Sequence, residues 1–358
     1  MIENFPNERR MHCETGVLVN MMEYYGFTIS EPMAFGIGSG LYFMYFPWMK
    51  VQDFILVVMR TRPKEIIRRF AERMNLGFHE QSFGNNADKA TLALDELVAK
   101  NIPVGLVSNL FGLKYLTNIG FELDYNGHHY VVVGKEGTKY IIADTNETLP
   151  NDDYVYLEEA YLRYSRFRSG ISAPHGWMFH IDPLPKDFSQ KIDLKPAVIE
   201  GIMETCKNML SLKLKFFGVK GIHYLANDIR KWPKKYTDKI IYNQLLWDYR
   251  ILERAGTGGS GYRYIYADFL KEAAELFQSE VLEECGNMYS KAADCWRQFT
   301  VGCNRYIGRK GVTLNELADF IDEAAAYEKN AFLTIKNQFL KNIKNHDREL
   351  SKPTENAL

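Results

Sequence analysis

A thiol, an imidazole and a carboxylate together can carry out acyl chemistry, and the sequence offers this set at Cys13, His129 and Asp144. A thiolate attacks a carbonyl carbon, a histidine moves the protons, and an acid holds the imidazole in one tautomer. The histidine and the acid sit on two runs rich in β-branched and aromatic residues. These are Gly127-His128-His129-Tyr130-Val131-Val132-Val133-Gly134 and Tyr140-Ile141-Ile142-Ala143-Asp144. The polar connection Lys135-Glu136-Gly137-Thr138 between them predicts a β-hairpin. If Gly134 faces Lys139 across this turn, His129 lies directly opposite Asp144. Opposed side chains share a sheet face with Cβ atoms about 4.5–5.5 Å apart, close enough for the acid to orient the ring. In that register His128 points to the other face, and His129 is the preferred base.

The elements that must position these groups follow from periodicity. Cys13 to Tyr25 has helical spacing, with Val17, Leu18, Met21, Met22 and Tyr25 as its buried stripe and Gly26 as its stop. Cys13 then occupies the first turn, where free N–H groups and the helix dipole favour an anion and lower a thiol pKa. A cysteine near a helix start can equally be a small buried hydrophobe; the histidine–aspartate hairpin favours a nucleophile. His12 either assists it or is exposed. The segment Ser30 to Phe43 carries Gly36, Gly38 and Gly40 followed by aromatic residues. It reads as a close-packed turn, with one wall of an acyl pocket as the other reading, and Glu31 is a candidate polar contact there. No Gly-x-x-x-x-Gly-Lys-Ser/Thr pattern marks it as a phosphate loop. Helices follow at about Pro63–Met74 and Asp88–Lys100, then a strand at Val104–Ser108. Leu110 to Tyr125, with Tyr115 and Phe121, is expected to cover the cleft. After the hairpin come a helix at about Leu157–Arg168, a strand at Trp177–Ile181 and a linker at Asp182–Lys186. A helix carrying Cys first, with strands carrying His and Asp later, is the chain order of papain-like folds.

Composition narrows the classes. A chain of 358 residues with 46% apolar and 25% charged residues is expected to form two soluble domains, each able to bury a core. A net charge of −1 argues against a nucleic-acid partner bound through phosphate neutralisation. The first residues lack the basic and apolar regions of a signal peptide, and no apolar run reaches the roughly 18–20 residues of a membrane span. Five cysteines without Cys-x-x-Cys spacing suggest neither a disulfide framework nor a zinc site. The expectation is a cytoplasmic protein with no metal and no cofactor. Cys206, Cys285, Cys295 and Cys303 fall in helical patterns and read as core residues. His79, His175, His180 and His223 have no motif around them.

The N-terminal half resembles the N-terminal domain of the butirosin-biosynthesis protein H family, a papain-like group of cysteine acyltransferases. The residues that carry the resemblance are His12-Cys13, Ser30-Glu31 running into Phe35-Gly36-Ile37-Gly38-Ser39-Gly40, Pro103-Val104, the Gly127–Gly134 run and Ala143-Asp144. It spans roughly residues 11–181. The hairpin is also similar to that of the bacteriocin-processing (double-glycine) peptidases. By this likeness the catalytic set is Cys13, His129 and Asp144. Papain-like enzymes place a glutamine six residues before the nucleophile to bind the oxyanion. Here Asn7 stands there, and either it or the Cys13 backbone N–H takes that role. The resemblance further implies a thioester donor, on an acyl carrier protein or CoA, and an amine of a small metabolite as acceptor.

The second half is helical in pattern from about Leu194 to Asn345. One break, Gly256-Thr257-Gly258-Gly259-Ser260-Gly261 ahead of Arg263, is richer in glycine than a helix stop requires. It is either a tight helix–helix joint or a loop whose N–H groups at Gly258 and Gly259, beside Arg263, receive a substrate carboxylate or phosphate. The region resembles the helical domain of unknown function that often follows the butirosin-type domain.

The expected architecture is therefore α+β. A papain-like domain with an antiparallel sheet covers 1–184, an all-helical domain covers 185–346, and a disordered tail covers 347–358. The expected activity is acyl transfer through an acyl-Cys13 intermediate. The alternatives are a cysteine peptidase or amidase using the same triad, or a silent binding protein on the same frame. Oligomeric state is left open by the sequence.

Overall fold

The computed structural model describes residues 1–51, 53–117, 124–146, 154–170, 173–210 and 213–343. Phe121 and the 347–358 tail lie outside these residues. In chain order the strands are β1 (Leu41–Val51), β2 (Phe54–Arg60), β3 (Phe78–Gln81), β4 (Val104–Asn109), β5 (Asn126–Glu136), β6 (Lys139–Ala143), β7 (Val155–Glu158) and β8 (Met178–Ile181). Four helices position the candidate site: α1 (Cys13–Tyr24), α2 (Glu31–Ile37), α3 (Glu65–Arg73) and α4 (Ala87–Ala99).

The chain divides into two compact units, one of Met1–Ala34 and Arg62–Leu194, the other of Phe35–Thr61 and Lys195–Leu358. This is not a single cut at 184/185. The β1–β2 hairpin belongs with the helices, so that unit is not wholly α-helical. Its side chains and backbone complete the helices' hydrogen bonding: Tyr45 donates to Asp228 at 2.7 Å, and the Ile55 N–H donates to Gln244 at 2.7 Å.

The first unit is built on a six-stranded sheet of order β3-β8-β4-β5-β6-β7, with every neighbouring pair antiparallel. β5 is buried from Gly127 to Gly134, so it reads as a continuous apolar run rather than an alternation. One face buries Val104, Leu106, Tyr130, Val132, Tyr140 and Ile142 with Leu94 of α4. The residues between them point the other way. α1 packs against β5 and contributes nothing to that cluster.

The hairpin register differs from the predicted one. Glu136 pairs with Lys139, leaving Gly137-Thr138 as a two-residue turn, and an irregularity between Val132 and Gly134 brings Val131 opposite Ala143. The pairing thus runs one residue away from that predicted. Because side chains alternate, a one-residue slip exchanges the faces. Asp144 falls on the face of Tyr130 and His128, not of His129.

The second unit packs long helices, including Arg263–Phe277, Glu280–Ile307 and Leu314–Thr334. At its centre a fully buried ion pair joins Arg263 and Glu328 at 3.0 Å. Tyr289 and Trp296 also donate to Glu328, at 3.2 and 2.9 Å. Removing one partner of such a pair strands a buried charge. Glu328→Leu is therefore expected to cost about 3–5 kcal/mol, measured by chemical denaturation; a variant as stable as the wild type would contradict this.

Candidate active site

α1 is buried on all sides from Glu14 to Met22, as expected for a core helix. Two carboxylates fix it. Glu14 accepts the N–H groups of Ile66 and Ile67 in the first turn of α3, at 3.1 and 3.4 Å. Glu31, at the start of α2, accepts from the N–H groups of Met11 and His12 at 2.9 and 2.7 Å and from the Thr15 hydroxyl at 2.8 Å. Burial pushes the Glu31 carboxyl up from its usual range, against the lowering effect of these bonds. Gly16 allows a close crossing, since a Cβ there would lie 2.7 Å from Arg10 Cβ and 2.8 Å from Thr145 Oγ1. The segment before α1 in turn runs beside the chain that follows Asp144, with the Arg10 N–H donating to the Thr145 carbonyl at 2.9 Å.

Cys13 is the first residue of α1. Its Sγ lies 3.9 Å from Nδ1 of His129 and 3.8 Å from the Gly127 carbonyl oxygen. His129 Nδ1 is 3.0 Å from that same carbonyl. A carbonyl only accepts, so Nδ1 is the donor in this bond. Nε2 is buried without a hydrogen-bond partner among the described residues.

Asp144 engages the other histidine. His128 Nε2 stands 2.7 Å from Asp144 Oδ2. Tyr115 donates to the same oxygen at 2.6 Å, and the Asn146 N–H donates to Oδ1 at 2.9 Å. The expected pairing of His129 with Asp144 is thus corrected: the orienting carboxylate belongs to His128. The cause is the hairpin register. Tyr115 is a second group that sequence reasoning missed. In sequence it was read only as part of the segment expected to cover the cleft, and nothing there marked it for this role.

Burial alone would raise the Cys13 thiol. Hydrogen bonds and charge from His128, and then from His129, overcome it and lower the thiol to about 5. His128 shows the converse. Burial would lower it, but the Asp144 carboxylate and then Cys13 hold its proton and raise it to about 10. Asp144 is lowered despite burial, by the charge and hydrogen bond of His128 and by the Tyr115 bond. Between those limits the pair is a thiolate beside an imidazolium. Cys206, Cys285, Cys295 and Cys303 are all buried, and burial raises each of their thiols.

The remaining candidates separate. Asn7 lies half-buried in the segment before α1. His12 is 1% exposed and its Nδ1 lies 3.1 Å from Thr15 Oγ1, so it belongs to the Glu31 network, not to solvent. Both Glu31 oxygens are taken up by the chain, which makes it a fastener of α1 instead of a substrate contact. Gly38 is buried in the turn closing α2 and falls in the second unit. Close packing is the reading that fits this segment, because a Cβ on Gly36 would overlap the Phe269 ring. The glycine loop is also filled by the chain itself. Gly258 and Gly259 have positive φ, and the Gly259 N–H donates to Thr257 Oγ1 and the Ser260 N–H to Glu253. Arg263 is spent on Glu328 and on the Met59 and Gly261 carbonyls. The loop is a helix–helix joint, and the anion it receives is the chain's own.

A cysteine at a helix start, a histidine–aspartate pair on an antiparallel hairpin and a lowered thiol define the class of site. Residues 12–145 match the family model described as "Butirosin biosynthesis protein H, N-terminal", and residues 160–335 match "Domain of unknown function (DUF4872)". The chain thus carries a butirosin-type N-terminal match followed by the second domain, the layout its sequence features imply. The first of these matches suggests a biosynthetic enzyme. No curated protein matches the chain. No helix among the described residues is long and apolar enough to cross a membrane.

The electrostatics make a distinguishing prediction. Cys13 becomes a thiolate as pH rises through about 5, so its alkylation rate with iodoacetamide should reach a plateau by about pH 6–7. In His128→Ala the rise should move several units upward, and by less in His129→Ala. Equal profiles for the two variants would refute the assignment of His128.

Proposed function

We propose that the protein is a cysteine-dependent acyltransferase built on a papain-like first unit, with Cys13, His128 and Asp144 as its triad. The single observation carrying this reading is Cys13 at the start of α1 with His128 held by Asp144 at 2.7 Å, an arrangement whose charge and hydrogen bonds lower the thiol. An activated nucleophile and its proton carrier form the minimal apparatus for covalent acyl transfer.

In this mechanism the Cys13 thiolate adds to the carbonyl of a thioester donor, on an acyl carrier protein or CoA. The oxyanion forms beside the first turn of α1, where the Cys13 N–H and the helix dipole stabilise negative charge. Collapse expels the donor thiolate, which takes the proton from the His128 imidazolium. The acyl group is then bonded to Sγ. Neutral His128 next removes a proton from the amine of a small metabolite as it attacks, and the C–S bond breaks to restore the thiolate. Asp144, held by Tyr115 and the Asn146 N–H, keeps Nε2 of His128 protonated throughout. The donor and acceptor classes rest on the family resemblance, not on contacts.

Intact-protein mass spectrometry with a panel of acyl thioesters tests the reading. Wild type should gain one acyl group, discharged faster by amines than by water, and Cys13→Ala should gain none. Because proton transfer contributes about 10²–10⁴-fold, His128→Ala should lose transfer on that scale. Discharge by water alone would replace transfer with hydrolysis. Undiminished activity of Cys13→Ala would overturn the mechanism.

A further inference from the structure

We propose that His79, His180 and Asp182 form a binding site for one divalent cation of the imidazole-favouring class, represented by Zn2+ and Ni2+. The site uses none of the residues around Cys13 and is independent of the function proposed above.

The geometry comes from the β3–β8 ladder. His79 sits directly opposite His180, so the two imidazoles share a face. Their rings stack with centroids 4.7 Å apart and planes 16° apart. Asp182 lies two residues beyond His180 and therefore on the same side. Its backbone N–H donates to the Gly77 carbonyl at 2.8 Å, so Gly77 stands across from it. A Cβ on Gly77 would lie 2.3 Å from Asp182 Oδ2. The missing side chain gives the carboxylate room to fold back over the pair, with both oxygens 3.0 Å from His79 Nε2.

One donor atom from each of the three residues lies within 4.8 Å of the others. Ligands bound at about 2.0–2.2 Å in a tetrahedral shell stand roughly 3.3–3.6 Å apart, so modest side-chain rotations close the set. Rotation is available, since the side chains of His79 and Asp182 are 53% and 56% exposed. Two imidazoles and one carboxylate suit zinc, nickel or copper over magnesium or calcium, and water completes the coordination. The bound ion would cross-link β3, a four-residue strand at the end of the sheet, to β8.

The test uses the full chain carrying Cys13→Ala, which removes the reactive thiolate as a competing ligand. Zn2+ or Ni2+ is titrated by calorimetry, and thermal unfolding is followed with and without the ion. One equivalent should bind, and Tm should rise with ion concentration, because a ligand of the native state stabilises it. Adding His79→Ala or His180→Ala should weaken binding at least tenfold and abolish the Tm rise. Circular dichroism identifies a variant that has failed to fold; the exposed position of His79 makes its substitution the decisive one. Binding unaffected by His79→Ala, or lost instead with His128→Ala, would overturn the proposal.

Discussion

A half-buried thiolate at a helix start, with a cation held beside it, is the interaction around which the candidate site is arranged. A thiolate without a partner would be driven back to the thiol by burial. His128 supplies the opposing charge, and that charge needs Asp144 in turn. The carboxylate is then satisfied by Tyr115 and the Asn146 N–H. Each group is tolerable inside the protein because of the next, and the series ends on neutral donors. The sheet and α1 must hold all of them to within hydrogen-bonding distance. Glu31 does so for the nucleophile from behind, by gathering the N–H groups of Met11 and His12.

Much of this was legible in sequence because it is local. Cys13 announced itself by its place before a helical apolar stripe, and the hairpin by its β-branched runs and polar turn. The choice between adjacent histidines was not local. It hinged on whether the turn held four residues or two, and on an irregularity at Val132/Gly134 that composition does not mark. Gly137 is the one local mark of the shorter turn, since two-residue turns favour glycine at positive φ, which Gly137 adopts at 58°. His79, His180 and Asp182 were opaque for a different reason. Strand pairing brings them together across about a hundred residues of sequence.

The second unit misled in a complementary way. Glycines beside an arginine look like an anion receptor when their partners are unseen. Of those partners, Glu253 lies just before the loop and Glu328 on a helix distant in sequence. The stretch that forms the β1–β2 hairpin was likewise placed in the first domain with its sequence neighbours, whereas Asp228 and Gln244 on distant helices hold it. Buried carboxylates recur as fasteners in both units, at Glu14, Glu31 and Glu328. A tally of charges does not separate them from surface residues.

The lowered thiol also bears on energy flow. In thiol exchange, a less basic sulfur departs more readily and is intrinsically the weaker attacker. An ordinary thiol has a pKa near 8.5, whereas Cys13 stands at about 5. On the function proposed, an acyl group moved from a common thiol onto Cys13 would therefore exchange a stable resting place for a less stable one. On the mechanism proposed, loading would also discharge the His128 imidazolium, whose proton leaves with the donor thiol. On that mechanism the loaded state would be the less stable member of the cycle, and discharge in either direction would be favoured. A site of this kind would hold its cargo briefly and empty fast, with the acceptor's arrival deciding whether the group moves on or returns to the donor.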